Sequence, residues 1–296
     1  MPGSAGLLAD LEGRGLVQDC TDRAELSARL AAGPMTLYCG FDPTADSLHV
    51  GHLLGVVTLR RFQRAGHRPI AVVGGATGMV GDPSGRSDER SLLDPDVVAA
   101  NVAAIRRQLE SLLASGPGER ATAVVLDNAM WTGRQSLLGF LRDVGKHVTV
   151  GQMMAKEPVR ARMAGATGIS FTEFAYMLLQ ANDYLWLHTH EGCELQVGGS
   201  DQWGNITAGT DLIRRVEGGK AFGLVTPLVS TSDGRKMGKS EAGAVWLDRD
   251  RTSPLDFYQW WVNTTDDDIS RFLRIYTFLP EERITDLTSV EGAALR

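Results

Sequence analysis

The sequence predicts an α/β protein with a parallel sheet, and three observations carry that reading. Short apolar runs of strand length alternate with longer segments of helical periodicity. Glycine-rich turns follow several of the runs, as where a strand passes into a loop that faces a ligand. No apolar run reaches the roughly 18–20 residues of a membrane span, so no membrane is expected and the elements must bury one another.

Taken in order, residues 35–40 are a short apolar run closed by Gly40, a strand. Residues 47–65 read as a helix. Ser47 is placed to cap its start, Val50, Leu53, Leu54 and Val57 share one face, and Gly66 follows its end. Arg60, Arg61 and Arg64 fall in its last turns, where positive charge suits the helix dipole, and a solvated face is expected for them. The same is expected of Lys156, Arg160 and Arg162. Residues 70–75 and 123–127 are buried-strand candidates, and 195–197 is a weaker one. Residues 222–229 form another, with Pro227 marking an edge or a break. Helical patterns lie at about 97–113, 137–144, 171–187 and 206–216, and the segment 254–278 is helical and tryptophan-rich.

Composition narrows the class. The 296 residues are 43% hydrophobic and 22% charged, as in a soluble globular protein. A net charge of −6 argues against attachment to nucleic acid by bulk charge, while leaving room for a local patch. Cys20, Cys39 and Cys193 are scattered, without disulfide or zinc spacing, so a reducing cytoplasmic setting is expected. The N-terminus lacks the basic start and apolar stretch of a signal peptide.

Four segments face loops where phosphate chemistry is at home. Residues 37–54 run from strand to helix and carry His49-Val50-Gly51-His52 at the helix start, where free N–H groups attract anions. The two histidines share a face. No carboxylate or cysteine follows at metalloprotease spacing, so no protein-ligated metal is expected, and two ordinary helical histidines are the plain alternative. Residues 233–240 end in Gly238-Lys239-Ser240 and invite a P-loop reading. The count fails, because Asp233 stands where a P-loop needs glycine. A mobile basic loop closing over a polyphosphate fits better, against the alternative of an exposed charged turn. Residues 74–85 and 198–205 are glycine clusters after strands; in the second, Asp201 is placed to hold a ribose hydroxyl or simply to cap a turn. On the helix at 171–187, Tyr176, Gln180 and Asp183 form one polar stripe, either a solvent face or a pocket wall.

Together these segments resemble the bacterial tyrosyl-tRNA synthetases of class I. His49-Val50-Gly51-His52 matches the class's His-Ile-Gly-His signature. Residues 236–240 match Lys-Met-Ser-Lys-Ser, with Gly238 in place of the usual serine. Residues 38–44, 74–85, 140–146, 169–174 and 198–205 look like the tyrosine-specific branch, in the same order, from about Leu37 onward.

The resemblance implies a Rossmann-like parallel sheet with helices on both faces, a helical connecting insertion and the start of a C-terminal helical region. It implies a catalytic domain over 1–230, including an insertion that forms a homodimer, and a signature loop with the beginning of an anticodon-side region over 231–296. Its substrates would be L-tyrosine, ATP with Mg2+, and tRNA(Tyr). By motif, Tyr38 and Asp183 would hold the tyrosine hydroxyl. Tyr176, Gln180 and Asp82 would hold the ammonium, and Gln202 would lie near the carboxylate. Asp42 would lie near the reacting groups. Cys39, His52, Gly199 and Asp201 would contact the ribose. Thr44, His49, Lys236 and Lys239 would stabilise the pyrophosphate. Three departures are Gly238, Gly55 where some relatives are polar, and Arg86 where lysine is common. The family continues into an RNA-binding domain, so this sequence is expected to be a core that forms the adenylate and charges tRNA poorly. A P-loop phosphotransferase and a non-catalytic RNA-binding relative explain fewer of these segments, and the Tyr38–Asp183 pairing disfavours a tryptophan enzyme.

Overall fold

Apolar residues on both phases of each strand dictate where the helices go. In the computed structural model, which describes residues 6–84, 92–116, 121–164, 168–232, 234, 237–240 and 243–289, strand β2 is Thr36–Phe41. It sends Leu37, Cys39 and Phe41 to one face of the sheet and Tyr38 to the other. Strand β3, Arg68–Val73, divides likewise, with Ala71 and Val73 opposite Ile70 and Val72. A sheet apolar on both faces needs helices on both.

The chain begins with α1 (Leu7–Gly13), the short strand β1 (Asp19–Cys20) and α2 (Arg23–Ala31), before β2, α3 (Val50–Arg64) and β3. Then follow α4 (Pro95–Leu112), β4 (Val124–Asp127), the helical insertion α5 (Leu137–Asp143), α6 (Val150–Ala155) and α7 (Glu157–Met163), and the long α8 (Phe171–Glu191). After these come β5 (Cys193–Gly199), α9 (Trp203–Glu217), β6 (Phe222–Thr226) and the small hairpin β7 (Lys239–Ser240) and β8 (Gly243–Ala244). Helices α10 (Pro254–Val262), α11 (Asp266–Tyr276) and α12 (Glu281–Thr288) complete the described chain. The main sheet has the order β1-β6-β5-β2-β3-β4, parallel except for β1, which pairs antiparallel with β6. Helices α3 and α4 cover one face and α8 and α9 the other. Strand order reverses at β2, which pairs with both β3 and β5, and the crevice at such a reversal is where open α/β sheets bind ligands.

Several sequence expectations shift. Ser47 does not cap α3; its hydroxyl is tied to Leu48 and to Gln108 on α4, and His49 takes the cap. Strand β6 stops at Thr226, one residue before Pro227, whose missing N–H ends the ladder. The helical segment 254–278 divides into α10 and α11, and α8 runs on to Glu191, where Gly192 at φ 62° closes it. Arg162 is not on a solvated face: it forms a buried ion pair with Glu173, Nη2 to Oε2 2.8 Å. Lys156 is half-buried, donating to Thr207 Oγ1 at 2.7 Å, while Arg160 is exposed.

Arg61 is the larger correction, since it is 0% exposed. Its guanidinium donates to the carbonyls of Arg274 (2.9 Å), Ile275 (3.4 Å) and Thr277, at the C-terminal end of α11. Arg14 joins it, donating to Leu279 O at 2.9 Å, and Phe278 lies under both Arg61 and Arg64. The last carbonyls of a helix have no partner in their own helix, and a buried cation there satisfies them and meets the dipole. Arg61→Leu is therefore expected to lower the unfolding free energy by about 3 kcal/mol in urea denaturation, because several carbonyls lose a charged donor. Arg61→Lys should recover only part of this, since an ammonium cannot span them as the planar fork does.

Candidate active site

The carboxyl ends of β2, β3, β4 and β5 bring most of the sequence-selected residues to one cleft. Tyr38 projects from β2 into it, buried, in edge contact with Tyr184 at 5.2 Å between ring centroids. Its hydroxyl has no hydrogen-bond partner among the described residues. Burial holds its phenol well above the usual range, and the Asp183 charge adds to this.

Asp183, on α8, is 5% exposed and receives three donors. Trp131 Nε1 lies 2.7 Å from Oδ1, Thr132 Oγ1 3.1 Å from Oδ1, and Asn128 Nδ2 2.8 Å from Oδ2. Burial nevertheless pushes the carboxyl up to about 7, against the pull of these donors. Asn128 also donates to Thr77 Oγ1 at 2.9 Å and accepts from the Ala76 N–H at 2.8 Å. One side chain thus pins the glycine turn after β3 to the carboxylate on α8. That turn lies against β4: a Cβ on Gly75 would stand 2.3 Å from Asp127 Oδ1, so only glycine fits.

A second group of polar side chains lies along the same stripe of α8. Tyr176 OH approaches Asp42 Oδ1 at 3.5 Å. Asp82 Oδ2 accepts from Gln202 Nε2 at 2.8 Å, and Asn205 Nδ2 donates to Gln180 Oε1 (3.1 Å), Gln202 Oε1 (3.2 Å) and Ser84 Oγ (3.2 Å). Gln202 also reaches Asp201, whose carboxyl is raised by burial and by the Asp82 charge. The stripe is buried or half-buried against other polar side chains and is not a solvent face. Its carboxylates make the cleft suited to a cation.

Beyond the same carboxyl end of β2, His49 caps α3. Its Nδ1 accepts from Gly51 N–H at 3.0 Å, and His52 Nδ1 accepts from His49 N–H at 3.1 Å. An accepting Nδ1 leaves the ring proton on Nε2, so both imidazoles keep an Nε2–H donor. The rings lie 3.9 Å apart, and burial, with His49 beside it, pulls His52 down to about 3, so it is neutral at physiological pH. The signature loop reaches the same place. Gly238, at φ 80°, packs on the helix start, where a Cβ would stand 2.8 Å from Gly51 N. Val245 N–H donates to Gly238 O, Val50 N–H donates to Val245 O, each at 2.9 Å, and Met237 is buried with Val50, Val245 and Phe272. Lys239 lies in β7; Lys236 and Arg86 lie outside the described residues.

Three further candidates flank these groups. Cys39 packs under α3 on the face opposite Tyr38, and burial pushes its thiol up to about 12. Thr44 is exposed in the turn after β2, its N–H bonded to Asp42 O at 2.9 Å. Gly199 ends β5 beside Asp201. Sequence reasoning missed Asn128, Trp131, Thr132, Thr77 and Asn205. The available signal was position: the first three directly follow the strand candidate at 123–127, at a carboxyl end.

The family model of class I tRNA synthetases (W and Y) matches residues 30–294. The chain belongs to this family. Among curated relatives, the tyrosine–tRNA ligase of Opitutus terrae is 59% identical over 281 residues, 95% of this chain and 66% of that protein. That of Geobacillus stearothermophilus is 55% identical over 282 residues, 95% of this chain and 67% of that protein. The chain thus spans about two thirds of the length of the curated relatives it matches. Among solved structures, a C-terminally truncated mitochondrial tyrosyl-tRNA synthetase of Aspergillus nidulans superposes with a TM-score of 0.86 at 35% identity, over 96% of this chain and 83% of that one. A tryptophanyl-tRNA synthetase of Encephalitozoon cuniculi shares the fold, with a TM-score of 0.68 at 13% identity, over 97% of this chain and 81% of that one. The synthetase family therefore accounts for a Rossmann-like sheet with a cleft at its strand reversal.

The buried Asp183 carboxyl gives the fold a pH signature. Held at about 7 in the fold against an ordinary 3.8, it keeps a proton that the unfolded chain has lost. This contribution to stability is complete below about 3.8 and is lost as pH rises to about 7. The unfolding free energy of the wild type, measured relative to Asp183→Asn, should fall across that window by at most about 1.4 kcal/mol per pH unit. A flat difference would show that the carboxyl titrates as an exposed one does.

Proposed function

We propose that the chain activates L-tyrosine with ATP, giving tyrosyl-adenylate and pyrophosphate, as the catalytic core of a cytoplasmic tyrosine–tRNA ligase that then passes the tyrosyl group to tRNA(Tyr). The observation that carries this reading is Asp183 under three donors, near enough to influence a buried Tyr38 hydroxyl that has no hydrogen-bond partner among the described residues. A ligand phenol is suited to both: it donates to the carboxylate and accepts from Tyr38. A ligand without that hydroxyl leaves buried groups unpaired, at a large cost. The relatives' printed names, all tyrosine–tRNA ligases, support the same substrate.

The remaining residues fit the reaction in order. Tyr176, Gln180 and Asp82 would receive the ammonium, with Gln202, held by Asp82, near the carboxylate. The tyrosine carboxylate oxygen attacks the α-phosphorus of ATP, which enters as its magnesium complex. The bond from the α-phosphorus to the bridging oxygen breaks, and pyrophosphate leaves with the electron pair. No covalent enzyme intermediate is needed, so the gain comes from positioning and from charge stabilisation. The Nε2–H groups of His49 and His52 would donate toward phosphate and ribose at the start of α3. Lys236 and Lys239 would add positive charge from the loop, and Thr44 a hydroxyl. Cys39, Gly199 and Asp201 are assigned to the ribose side, and Asp42 to the neighbourhood of the reacting groups. A tryptophan substrate is disfavoured, because an indole carries no acceptor for Tyr38.

Tyrosine-dependent exchange of pyrophosphate into ATP tests the reading directly, with phenylalanine and tryptophan as competitors. Asp183→Ala is expected to raise the tyrosine KM by about 10- to 100-fold, the loss of one charged hydrogen bond, and to erode the preference over phenylalanine. Because the phenol donates to the ionised carboxylate, tyrosine affinity should rise as pH climbs through about 7. Exchange driven equally by all three amino acids would refute the assignment.

We further propose that the chain pairs with a second copy through its insertion. Leu137 (70% exposed), Leu138 (77%) and Phe171 (76%) leave apolar surface open on α5 and at the start of α8. Exposed apolar surface of this kind marks an interface. Sedimentation equilibrium should give a dimer, and Phe171→Asp should shift it toward monomer.

A further inference from the structure

The stack of Trp131, Trp186 and His190 lies beside the recognition site, and the reaction scheme leaves it unused. Trp131 and Trp186 are face to face, with ring centroids 4.2 Å apart and planes within 9°. His190 covers the outer face of Trp186 at 4.5 Å and 13°. Trp131 is buried, Trp186 half-buried and His190 exposed, so the column runs from the pocket to the surface. Its inner member holds Asp183 through Nε1–H at 2.7 Å.

We propose that Trp186 is a positioning residue for recognition of the ligand phenol: its ring fixes the plane of the Trp131 indole and so aims the Trp131 Nε1–H at Asp183. An indole N–H lies in the plane of its ring, and a hydrogen bond weakens steeply as that direction turns off the acceptor. Trp131 lies between two short turns after β4, buried in the cluster of Tyr38, Ile70, Val72 and Tyr184, and no helix or strand of its own fixes the plane of its ring. Trp186 supplies the missing constraint from a rigid element. It is three residues after Asp183 on α8, so acceptor and aiming surface share one face of one helix and move together. His190, one turn further on, bonds to the Trp186 carbonyl through Nδ1 at 2.9 Å and closes the outer side of the ring. The inference rests on Asp183 being the phenol's acceptor. It adds that selectivity depends on a residue that does not touch the ligand.

The test compares planar with non-planar replacements in the pyrophosphate-exchange assay, using the full chain. Trp186→Phe and Trp186→Tyr keep a flat surface and should stay within about threefold of wild type in tyrosine KM. Trp186→Leu and Trp186→Met fill the space without fixing a plane. They should raise the tyrosine KM about tenfold and lower the tyrosine-to-phenylalanine preference by a similar factor. The rate at saturating tyrosine and the KM for ATP should not move. Trp131→Phe, which keeps the stack but removes the N–H, should match Trp186→Leu. In an Asp183→Ala background, Trp186→Leu should add nothing, the mark of action through that carboxylate. Equal behaviour of planar and non-planar variants, or losses of the same size in ATP KM, would overturn the inference while leaving the phenol assignment standing. A wild type that fails to prefer tyrosine would overturn both.

Discussion

A carboxylate buried in the middle of an apolar helix constrains everything around it. Asp183 lies on α8 among residues that pack on the sheet, and there a lone charge is costly. The structure answers with donors drawn from a single place, the turn after β4. That choice fixes β4 as the strand whose end faces α8, and it places Asn128 where it can also grip the turn after β3. The glycines of that turn follow from the crowding, since Gly75 has no room for a Cβ. The carboxyl still titrates near 7, so the donors do not fully offset its desolvation, and a further donor from a ligand would complete the shell.

Helix α11 gives the phosphate side a similar frame. At its C-terminal end Arg61, from the last turn of α3, holds its carbonyls. Near its start Asp268, buried, accepts from Ser232 N–H at 2.8 Å and from Arg271 at 2.6 Å, and Arg271 donates to Ser230 O. Residues leading into the signature loop and the far end of the histidine helix are therefore fastened to one element. Phe272 of the same helix packs with Met237, Val245 and Val50. The start of the histidine helix and Met237 of the signature loop thus pack against one helix. This is what a reaction that relies on positioning requires.

Periodicity made the sheet legible, because a two-faced apolar strand and an amphipathic helix leave strong local patterns. The edges of elements were less so. Ser47 has the right chemistry for a cap, but its hydroxyl is held by Leu48 O and by Gln108, far along the chain, and His49 caps instead. Arg61 looks like its neighbour Arg64 in sequence; one is fully buried and the other exposed because α11 arrives from more than two hundred residues away. The pair Arg162–Glu173 escaped for the same reason. In the candidate site, the polar stripe of α8 could be read, since three polar residues on one face of an apolar helix demand partners. The partners themselves, Asn128, Trp131 and Thr132, could not, because ordinary turn residues become ligands of a carboxylate only once two strands are set side by side.

The two halves of the proposed amino-acid pocket are prepared differently, and the difference bears on selectivity. Around Asp82, Gln180, Gln202 and Asn205 the polar groups already bond to one another. A ligand ammonium there replaces bonds between side chains, so its net gain is modest and any amino acid offers the same group. Around Tyr38 and Asp183 the situation is reversed. The Tyr38 hydroxyl is buried without a hydrogen-bond partner among the described residues, and the three donors of the Asp183 carboxyl do not offset its burial. Desolvation there is already incurred in the free protein, and only a ligand hydroxyl at that position recovers it. Discrimination should therefore sit at the phenol end, where the fold leaves hydrogen-bonding capacity unspent, and the general affinity for amino acids at the other.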